Sequence, residues 1–386
     1  MLQIGLVGCP NSGKSTFFKA ATLKDVKIAP YPFTTIDPNE GLAHVRTLCP
    51  CKELHITCNH CTNGNRFVAL KLWDVAGLVP NAHLGRGRGN AFLTDVMQSE
   101  GLIHILDASG STDNEGNPSQ QFDPSKNIAM LEQELEFWMV GLLKKDIKKV
   151  ETGEEFSSVV LHRFSGLGIT AAHVEQALNA STLEPKKKFF TDDELHNFIA
   201  HLRTIAKPMI IAANKADLAR AEQNITSMKK THEQTTIIPT TADFELALRE
   251  AAKNGLIEYL SGDGTFTVKK PLNEKQQQAL DYIKKYLEKY GSTGVQPALN
   301  TLVFDVLQMI VVYPVENEAK YTDKKGNVLP DAKLLKKGST PLDLAAAVHE
   351  DLKQKFISAV NAKTKRTVSA DYVLQHGDVI SIKAGR

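Results

Sequence analysis

The sequence predicts an α/β fold: a mostly parallel sheet with helices on both faces, a helical insertion within it, and a small α+β module at the C-terminal end. Three observations carry this. The chain opens on a short apolar run, Leu2–Val7, that passes through a glycine loop into a helical pattern. Further apolar runs at 67–73, 101–107 and 208–213 read as buried strands, and the first and last of them run into polar motifs. Between about 113 and 203 the apolar spacing changes from strand-like to helical.

The first element sets the chemistry. Gly8-Cys9-Pro10-Asn11-Ser12-Gly13-Lys14-Ser15-Thr16 fits G-x-x-x-x-G-K-[S/T] between a strand and a helix, the context that a phosphate-binding loop (P-loop) requires. Glycine lets the backbone curl until its N–H groups face a phosphate, a path that a Cβ would obstruct. Lys14 supplies a cation for β- and γ-phosphates, the helix N-terminus adds its dipole, and Ser15 offers a hydroxyl to Mg²⁺. Asn11, Ser12, Gly13 and Thr16 complete the nucleotide-binding set.

Composition is that of an ordinary globular protein. With 386 residues and a prior of ~150 per domain, two or three domains are expected. A net charge of +2 gives no argument for nucleic acid or membrane, and no apolar run approaches the ~20 residues that a membrane helix needs. The chain runs from Met1 directly into the first strand, so no signal peptide is expected. Five cysteines, an odd count without a leader, point to reduced thiols and a cytoplasmic protein.

The next elements follow in order. Ala29–Asn39 carries three prolines and two adjacent threonines, Thr34 and Thr35; prolines exclude a helix, and a threonine in a loop here could reach Mg²⁺ and the γ-phosphate as a switch loop does. Cys49-Pro50-Cys51 and Cys58-Asn59-His60-Cys61 follow, with six residues between them. Four thiols in a short loop could hold Zn²⁺ tetrahedrally in a structural site, and free thiols or a redox-sensitive disulfide fit the same spacing. The strand Phe67–Trp73 leads into Asp74-Val75-Ala76-Gly77, where Asp74 can hold Mg²⁺ through water and the Gly77 N–H can face the γ-phosphate. Gly85–Asn90 is a glycine loop with two guanidinium groups. His104, inside the apolar run 101–107, reads as a packed strand residue.

Helical periodicity then takes over. Ile128, Leu131, Leu135, Trp138, Leu142 and Ile147 recur at helical spacing between about Asp123 and Glu151. A second block runs from about Thr170 to Arg203, with starts at Thr170 and at the capping box beginning with Thr191. The nucleotide pattern resumes with Pro208–Ala213 and Asn214-Lys215-Ala216-Asp217, the guanine-reading form Asn-Lys-x-Asp. The Asp217 carboxylate can accept from guanine N1–H and the exocyclic amine; adenine lacks both donors, which would leave a buried charge unsatisfied. The Lys215 stem can lie over the base. After the strand Thr236–Pro239, Thr241 belongs to the nucleotide-binding set and the Ala242 N–H is expected at guanine O6. Glu274–Tyr290 reads as a charged amphipathic helix. The last part combines a helix end and strand (Val303–Pro314), a hairpin turn (Asp323–Asn327), a helix opened by Thr340-Pro341 and a closing strand (Gly377–Ile382), which suits a β-grasp module.

With these motifs placed, the chain closely resembles the Obg-like GTPases of the YchF group, particularly archaeal members. The resemblance rests on Gly8–Thr16, Tyr31–Asn39, Asp74-Val75-Ala76-Gly77-Leu78-Val79-Pro80, the glycine loop through Leu93, and the C-terminal unit, which looks like a TGS domain. It implies a P-loop GTPase domain at 1–112 and 204–272, a helical insertion at 113–203, a helical connector at 273–302 and a TGS domain at 303–386. It also implies a monomeric, Mg²⁺-dependent GTPase that works with ribosomes or ribosomal RNA, and it selects Thr35 as the metal-binding threonine, giving Ser15, Thr35 and Asp74 around Mg²⁺ and Lys14, Thr35 and Gly77 in catalysis. Bacterial and eukaryotic YchF proteins carry an altered fourth motif and favour ATP; the intact Asn214-Lys215-Ala216-Asp217 predicts GTP. Arg88 departs from the apolar residue expected there. Leu78 replaces the glutamine that orients water in Ras-type GTPases, and Asn11 resembles the asparagine of K⁺-stimulated GTPases, so K⁺ is a candidate cofactor beside GTP/GDP and Mg²⁺. The alternatives are an ATPase of the YchF type, a small-molecule kinase and an RNA-binding scaffold with incidental hydrolysis.

Overall fold

The computed structural model describes residues 1–22, 40–74, 77–84 and 89–385, with side chains for all of these except 89–92. The proline-rich segment with Thr34 and Thr35, residues Val75 and Ala76, and Arg86 and Arg88 lie outside the described residues.

The first strand, β1 (Gln3–Val7), is the middle of the sheet because it is buried on both faces: Ile4, Leu6 and Val7 are fully enclosed. It leads through the glycine loop into α1 (Lys14–Thr22). The next strand, β2 (Glu40–Leu48), is followed by the single turn α2 (Pro50–Glu53) and by β3 (Asn65–Asp74), which returns antiparallel to β2 over the register Glu40↔Trp73 to Leu48↔Asn65. After α3 (Gly89–Met97) comes β4 (Gly101–Asp107), buried at every position, as expected of a strand with a helical layer on each side.

Five helices follow: α4 (Ser125–Lys144), α5 (Lys148–Glu151), α6 (Phe156–Phe164), α7 (Ala171–Ser181) and α8 (Asp192–Ala206). The periodic run expected through Glu151 is broken at 145–147. There the Asp146 carboxylate ion-pairs with Arg163 of α6 and with Lys149, 3.0 Å away, turning the chain. The second block is two helices, each started by a capping box, Thr170 with His173 and Thr191 with Glu194. Leu131, Leu135, Phe156, Phe198 and Ile199 form the helical core, which is continuous with Val7, Leu78 and Leu93 of the sheet domain.

The sheet is completed by β5 (Met209–Asn214), α9 (Ala221–Thr231), β6 (Ile237–Pro239) and α10 (Ala242–Lys253). Its order is β2-β3-β1-β4-β5-β6, and all neighbours except β2 and β3 are parallel. The carboxyl ends of β1, β3, β4 and β5 therefore meet on one edge, where open α/β sheets place ligands.

A small hairpin, β7 (Ile257–Glu258) with β8 (Thr267–Val268), precedes α11 (Glu274–Tyr290), whose bounds match the sequence expectation and whose start is capped by Asn273. Then α12 (Val295–Asn300) covers the outer edge of β2. The Asn300 side chain accepts from the Arg46 N–H and donates to the Arg46 carbonyl, both at 2.9 Å, and Gln296 donates to the His44 carbonyl at 2.9 Å. Two side-chain amides thus satisfy an edge that would otherwise present unpaired backbone groups.

The last module is β9 (Met309–Val315), β10 (Lys333–Lys336), α13 (Pro341–Val348), α14 (Glu350–Gln354), β11 (Phe356–Asn361), β12 (Arg366–Val368) and β13 (Val379–Ala384), in the order β10-β9-β13-β11-β12 with only β9 and β13 parallel. Thr340 and Asp343 form the capping box of α13. Asp323–Asn327 is a tight turn, but it closes the isolated bridge Thr322↔Val328 rather than two long strands. β9 is buried on both faces with a period of two. Ile310 and Val312 face Leu344 of α13, whereas Val311, Tyr313 and Val315 join the core that contains β1, β2 and β3 residues.

Removing the edge amide tests the β2 closure. Asn300→Leu is expected to lower the unfolding free energy by about 1–3 kcal/mol, because two backbone groups of Arg46 lose their partners. Urea denaturation followed by circular dichroism measures it.

Candidate nucleotide-binding site

The phosphate loop has the backbone its glycines allow. Gly8 (φ +148°) has no room for a side chain, since a Cβ would stand 2.2 Å from the Ile105 carbonyl oxygen. Gly13 (φ +95°) is equally restricted, because a Cβ there would lie 2.2 Å from Nδ2 of Asn214. Asn11 sits between them in the left-handed region (φ +61°), and its amide donates to the Gly116 carbonyl at 2.9 Å. The asparagine considered for K⁺ thus braces a neighbouring loop onto the P-loop. Lys14 starts α1 and is 7% exposed; its ammonium donates to the Cys9 carbonyl at 3.1 Å. Burial lowers its pKa, partly opposed by the negative charge of Asp74. A buried ammonium favours an anionic partner.

Ser15 and Asp74 meet: the hydroxyl donates to Oδ2 at 2.9 Å. A hydroxyl and a carboxylate together are hard oxygen donors of the kind that Mg²⁺ takes. Gly77 packs its backbone on the P-loop, where a Cβ would come within 2.7 Å of the Pro10 nitrogen. The Leu78 N–H donates to the Gly8 carbonyl at 3.0 Å, and its side chain is fully buried in the core shared with the helices. Leu78 is therefore a packing residue rather than one that lines the phosphate loop.

At the far end of the edge, Asn214 links three segments. Its Nδ2 donates to the Ser12 carbonyl at 2.9 Å, and its Oδ1 accepts the Ala242 N–H at 3.0 Å. The Ala242 donor expected at a base oxygen is thus held by Asn214. Thr241 precedes it as the N-cap residue of α10, and its own N–H donates to the Thr293 carbonyl at 2.8 Å. Lys215 is left-handed (φ +59°), and its ammonium donates to Asp107 Oδ2 at 2.9 Å rather than standing free. Asp217 is half-buried, and burial raises its carboxyl pKa. Thr16 lies in the first turn of α1. Thr35, on the proline-rich segment, is outside the described residues.

The sequence reading passed over Asp107. It ends β4 and collects the Ser109 N–H (3.1 Å) and hydroxyl (2.6 Å), the Ser111 and Thr112 hydroxyls (each 2.8 Å) and the Lys215 ammonium. Burial would raise its pKa, but hydrogen bonds from Ser109, Lys215 and Ser111 outweigh that and hold the carboxyl below its ordinary value of 3.8. The available signal was position: Asp107 ends a buried strand, as Asp74 and Asn214 do, and is followed by Ser109, Ser111 and Thr112. His104, three residues earlier, is a fully buried neutral strand residue, its pKa pushed down to about 3 by burial.

Known proteins bear on this arrangement. The family described as "50S ribosome-binding GTPase" matches residues 3–145, "Obg-like GTPase YGR210-like, G4 motif-containing domain" matches 212–317, and "TGS domain" matches 321–384. The chain is 47% identical over 390 residues to the GTP-binding protein MJ1332 of Methanocaldococcus jannaschii, covering 99% of each. It belongs to the Obg-like GTPases of the YGR210/MJ1332 group. The GTP-binding protein C428.15 of Schizosaccharomyces pombe is 33% identical, with 88% of each chain covered. The crystal structure of a GTP-binding protein from Pyrococcus horikoshii OT3 superposes with a TM-score of 0.79 at 38% identity over all of both chains. The Schizosaccharomyces pombe YchF GTPase shares the fold, with a TM-score of 0.57 at 19% identity over 99% of this chain and 97% of that one.

In this Obg-like GTPase the four cysteines lie far from the nucleotide motifs. Asp74 ends β3 at the P-loop edge, so the turn from β2 into β3, which carries Cys49 to Cys61, is at the opposite end of the sheet. Their sulfurs converge, all four within 4.8 Å of one another. Among the described residues no helix is long and apolar enough to cross a membrane.

Two outcomes follow from this geometry. Gly13→Ala is expected to weaken guanine-nucleotide binding roughly 10- to 100-fold, since the left-handed backbone and the Asn214 contact impose ~1–3 kcal/mol of strain; titration with a fluorescent GDP analogue measures it. Asp107→Asn is expected to cost roughly 2 kcal/mol of stability at neutral pH, where the charged acceptor is fully ionised. The folded-state pKa is depressed, so that contribution is complete above about 3.8 and is lost as pH falls through the lower folded value. Denaturation of the two proteins across acid pH should show the gap closing there.

Proposed function

We propose that this GTP-binding protein hydrolyses GTP as a molecular switch and reports its nucleotide state to the ribosome from the cytoplasm. The observation that carries the reading is the Asn214 bridge, which ties the carbonyl of Ser12 in the phosphate loop to the strand end that bears Asp217. Phosphate recognition and base recognition then share one frame, so a nucleotide bound at either end is aligned at the other.

In this reading Lys14 lies against the β- and γ-phosphates and offsets charge as the bond to the leaving phosphate breaks. The Gly77 N–H meets the γ-phosphate. Asp217 accepts from guanine N1–H and the exocyclic amine, and a raised pKa in the free protein is consistent with a carboxylate that gains from such donors. Ser15, Asp74 and, from the proline-rich segment, Thr35 would hold Mg²⁺, which when bound neutralises charge on the phosphate oxygens. Leu78 is buried, so the attacking water is oriented by other groups; Asn11, within the loop, is the residue beside which a K⁺ ion would contribute. The ribosomal part rests on the family description matched by residues 3–145 and on the TGS module.

Phosphate release with GTP and with ATP tests the chemistry. The wild type should prefer GTP; Lys14→Ala should lower kcat/KM by about 100-fold or more, roughly 3 kcal/mol, and Asp217→Ala should reduce the GTP-over-ATP preference by a few kcal/mol. Equal turnover of both nucleotides by the wild type would overturn the guanine assignment. Co-sedimentation with ribosomes in a non-hydrolysable GTP analogue, in GDP and without nucleotide tests the switch: binding that depends on the analogue is expected, and binding equal in all three removes it.

A further inference from the structure

We propose that Cys49, Cys51, Cys58 and Cys61 form a tetrahedral zinc site that fastens the C-terminal module to the nucleotide domain. The distances fit the ion. A Zn–S bond of about 2.3 Å in a regular tetrahedron separates its sulfurs by about 3.7–3.8 Å. Cys49 and Cys58 are 3.7 Å apart and Cys51 and Cys61 3.6 Å, one thiol from each half of the loop in each pair. Both separations are far beyond the ~2.05 Å of a disulfide. All four are free thiols, and three are buried.

The surrounding groups suit a thiolate cluster. In each half of the loop a backbone N–H two residues on points at the first sulfur: that of Cys51 at Cys49 and that of His60 at Cys58. Such N–H groups stabilise negative sulfur and orient it, the usual outer-layer support of a metal site. Four thiolates around one Zn²⁺ leave a formal charge of −2. Arg66 is 3% exposed, and its Nη1 is buried with no hydrogen-bond partner among the described residues. Its guanidinium lies 5.8 Å from the centre of the Tyr313 ring, which shares a core with Cys49, Cys51 and Cys58. A buried cation beside an anionic cluster resolves what is otherwise an expensive arrangement on both sides.

The position gives the role. Residues 49–64 contain one helical turn and no strand, yet Cys49, Cys51 and Cys58 belong to the core that also holds Tyr313, Val315, Leu329, Ala332 and Ala362 of the C-terminal module. Glu53, beside the cluster, pairs with Lys363 at 2.5 Å. The loop is thus part of the bearing surface between the two domains, and an ion that joins its halves gives it the rigidity that its short segments lack. The arrangement is distant from the phosphate loop, and its four-sulfur ligand set leaves no open position, which makes it a structural rather than a catalytic centre.

The test uses the full chain, purified under reducing conditions without chelator, and elemental analysis. About one zinc per chain is expected, with Cys58→Ser/Cys61→Ser losing it. Refolding or exchange with Co²⁺ should give the intense sulfur-to-cobalt charge-transfer and visible d–d bands of a tetrathiolate. Because the double variant could fail to fold, the wild type is also stripped of zinc with a thiol-free chelator, and hydrogen exchange is read at 309–315 and 356–384. Exchange there should accelerate while GDP-analogue binding persists. A metal-free chain whose four thiols all react with a thiol reagent in the native state overturns the site. Zinc retained by the double variant overturns the ligand assignment. Zinc loss without change in exchange of the C-terminal strands overturns the fastening role.

Discussion

The side-chain amide of Asn214 is the constraint on which the functional end of this protein depends. It is 2% exposed and makes one bond to the Ser12 carbonyl and one to the Ala242 N–H, so β5, the phosphate loop and the start of α10 meet through a single planar group. A neutral amide suits the place because it donates and accepts at once, whereas a carboxylate would set two acceptors against the Ser12 carbonyl. Gly13 is bound to the same requirement, since its missing Cβ is the space that Nδ2 fills. Glycine in the loop and asparagine in the distant motif are therefore two halves of one steric fit, about 200 residues apart in sequence.

The rest of the molecule extends this frame by shared cores rather than by linkers. The helices between β4 and β5 bury Leu131, Leu135 and Phe198 against residues of the sheet domain, and the C-terminal sheet buries alternate residues of β9 against the β1, β2 and β3 side. Two buried acidic groups help to hold the seams. Asp107 gathers Ser109, Ser111, Thr112 and Lys215 beside the site. Glu245, fully buried, accepts from Tyr259 and Thr293 and from Ser261, joining α10 to the segments before and after α11.

Much of this was legible in the chain because the relevant physics is local. Glycines that need unusual backbone, the caps at Thr170, Thr191 and Thr340, and apolar runs ending in polar motifs all act within a few residues. What escaped depends on distant partners. Nothing near Asp146 foretells that Arg163 will end α4 there, and nothing near Asn11 foretells the Gly116 carbonyl. Asp107 carries no motif, and its role follows from which strand ends the sheet order brings together. The cysteine spacing left three chemistries open, because sulfur-to-sulfur distance is a property of the folded loop. The Ala242 N–H was expected at guanine O6, and its bond to Asn214, 28 residues away, is not visible in the local sequence.

Gly77 and Leu78 give the molecule a mechanical property. One residue rests its backbone on Pro10 of the phosphate loop, and the next seats a side chain with no solvent exposure in the core that the helices share. A close-packed interior has little slack, so the peptide joining them cannot alter its path at the phosphate without displacing volume among the helices. A change of path at Gly77 would therefore reach the helices as displacement rather than as charge, through a hydrocarbon contact that salt does not screen and that pH does not titrate.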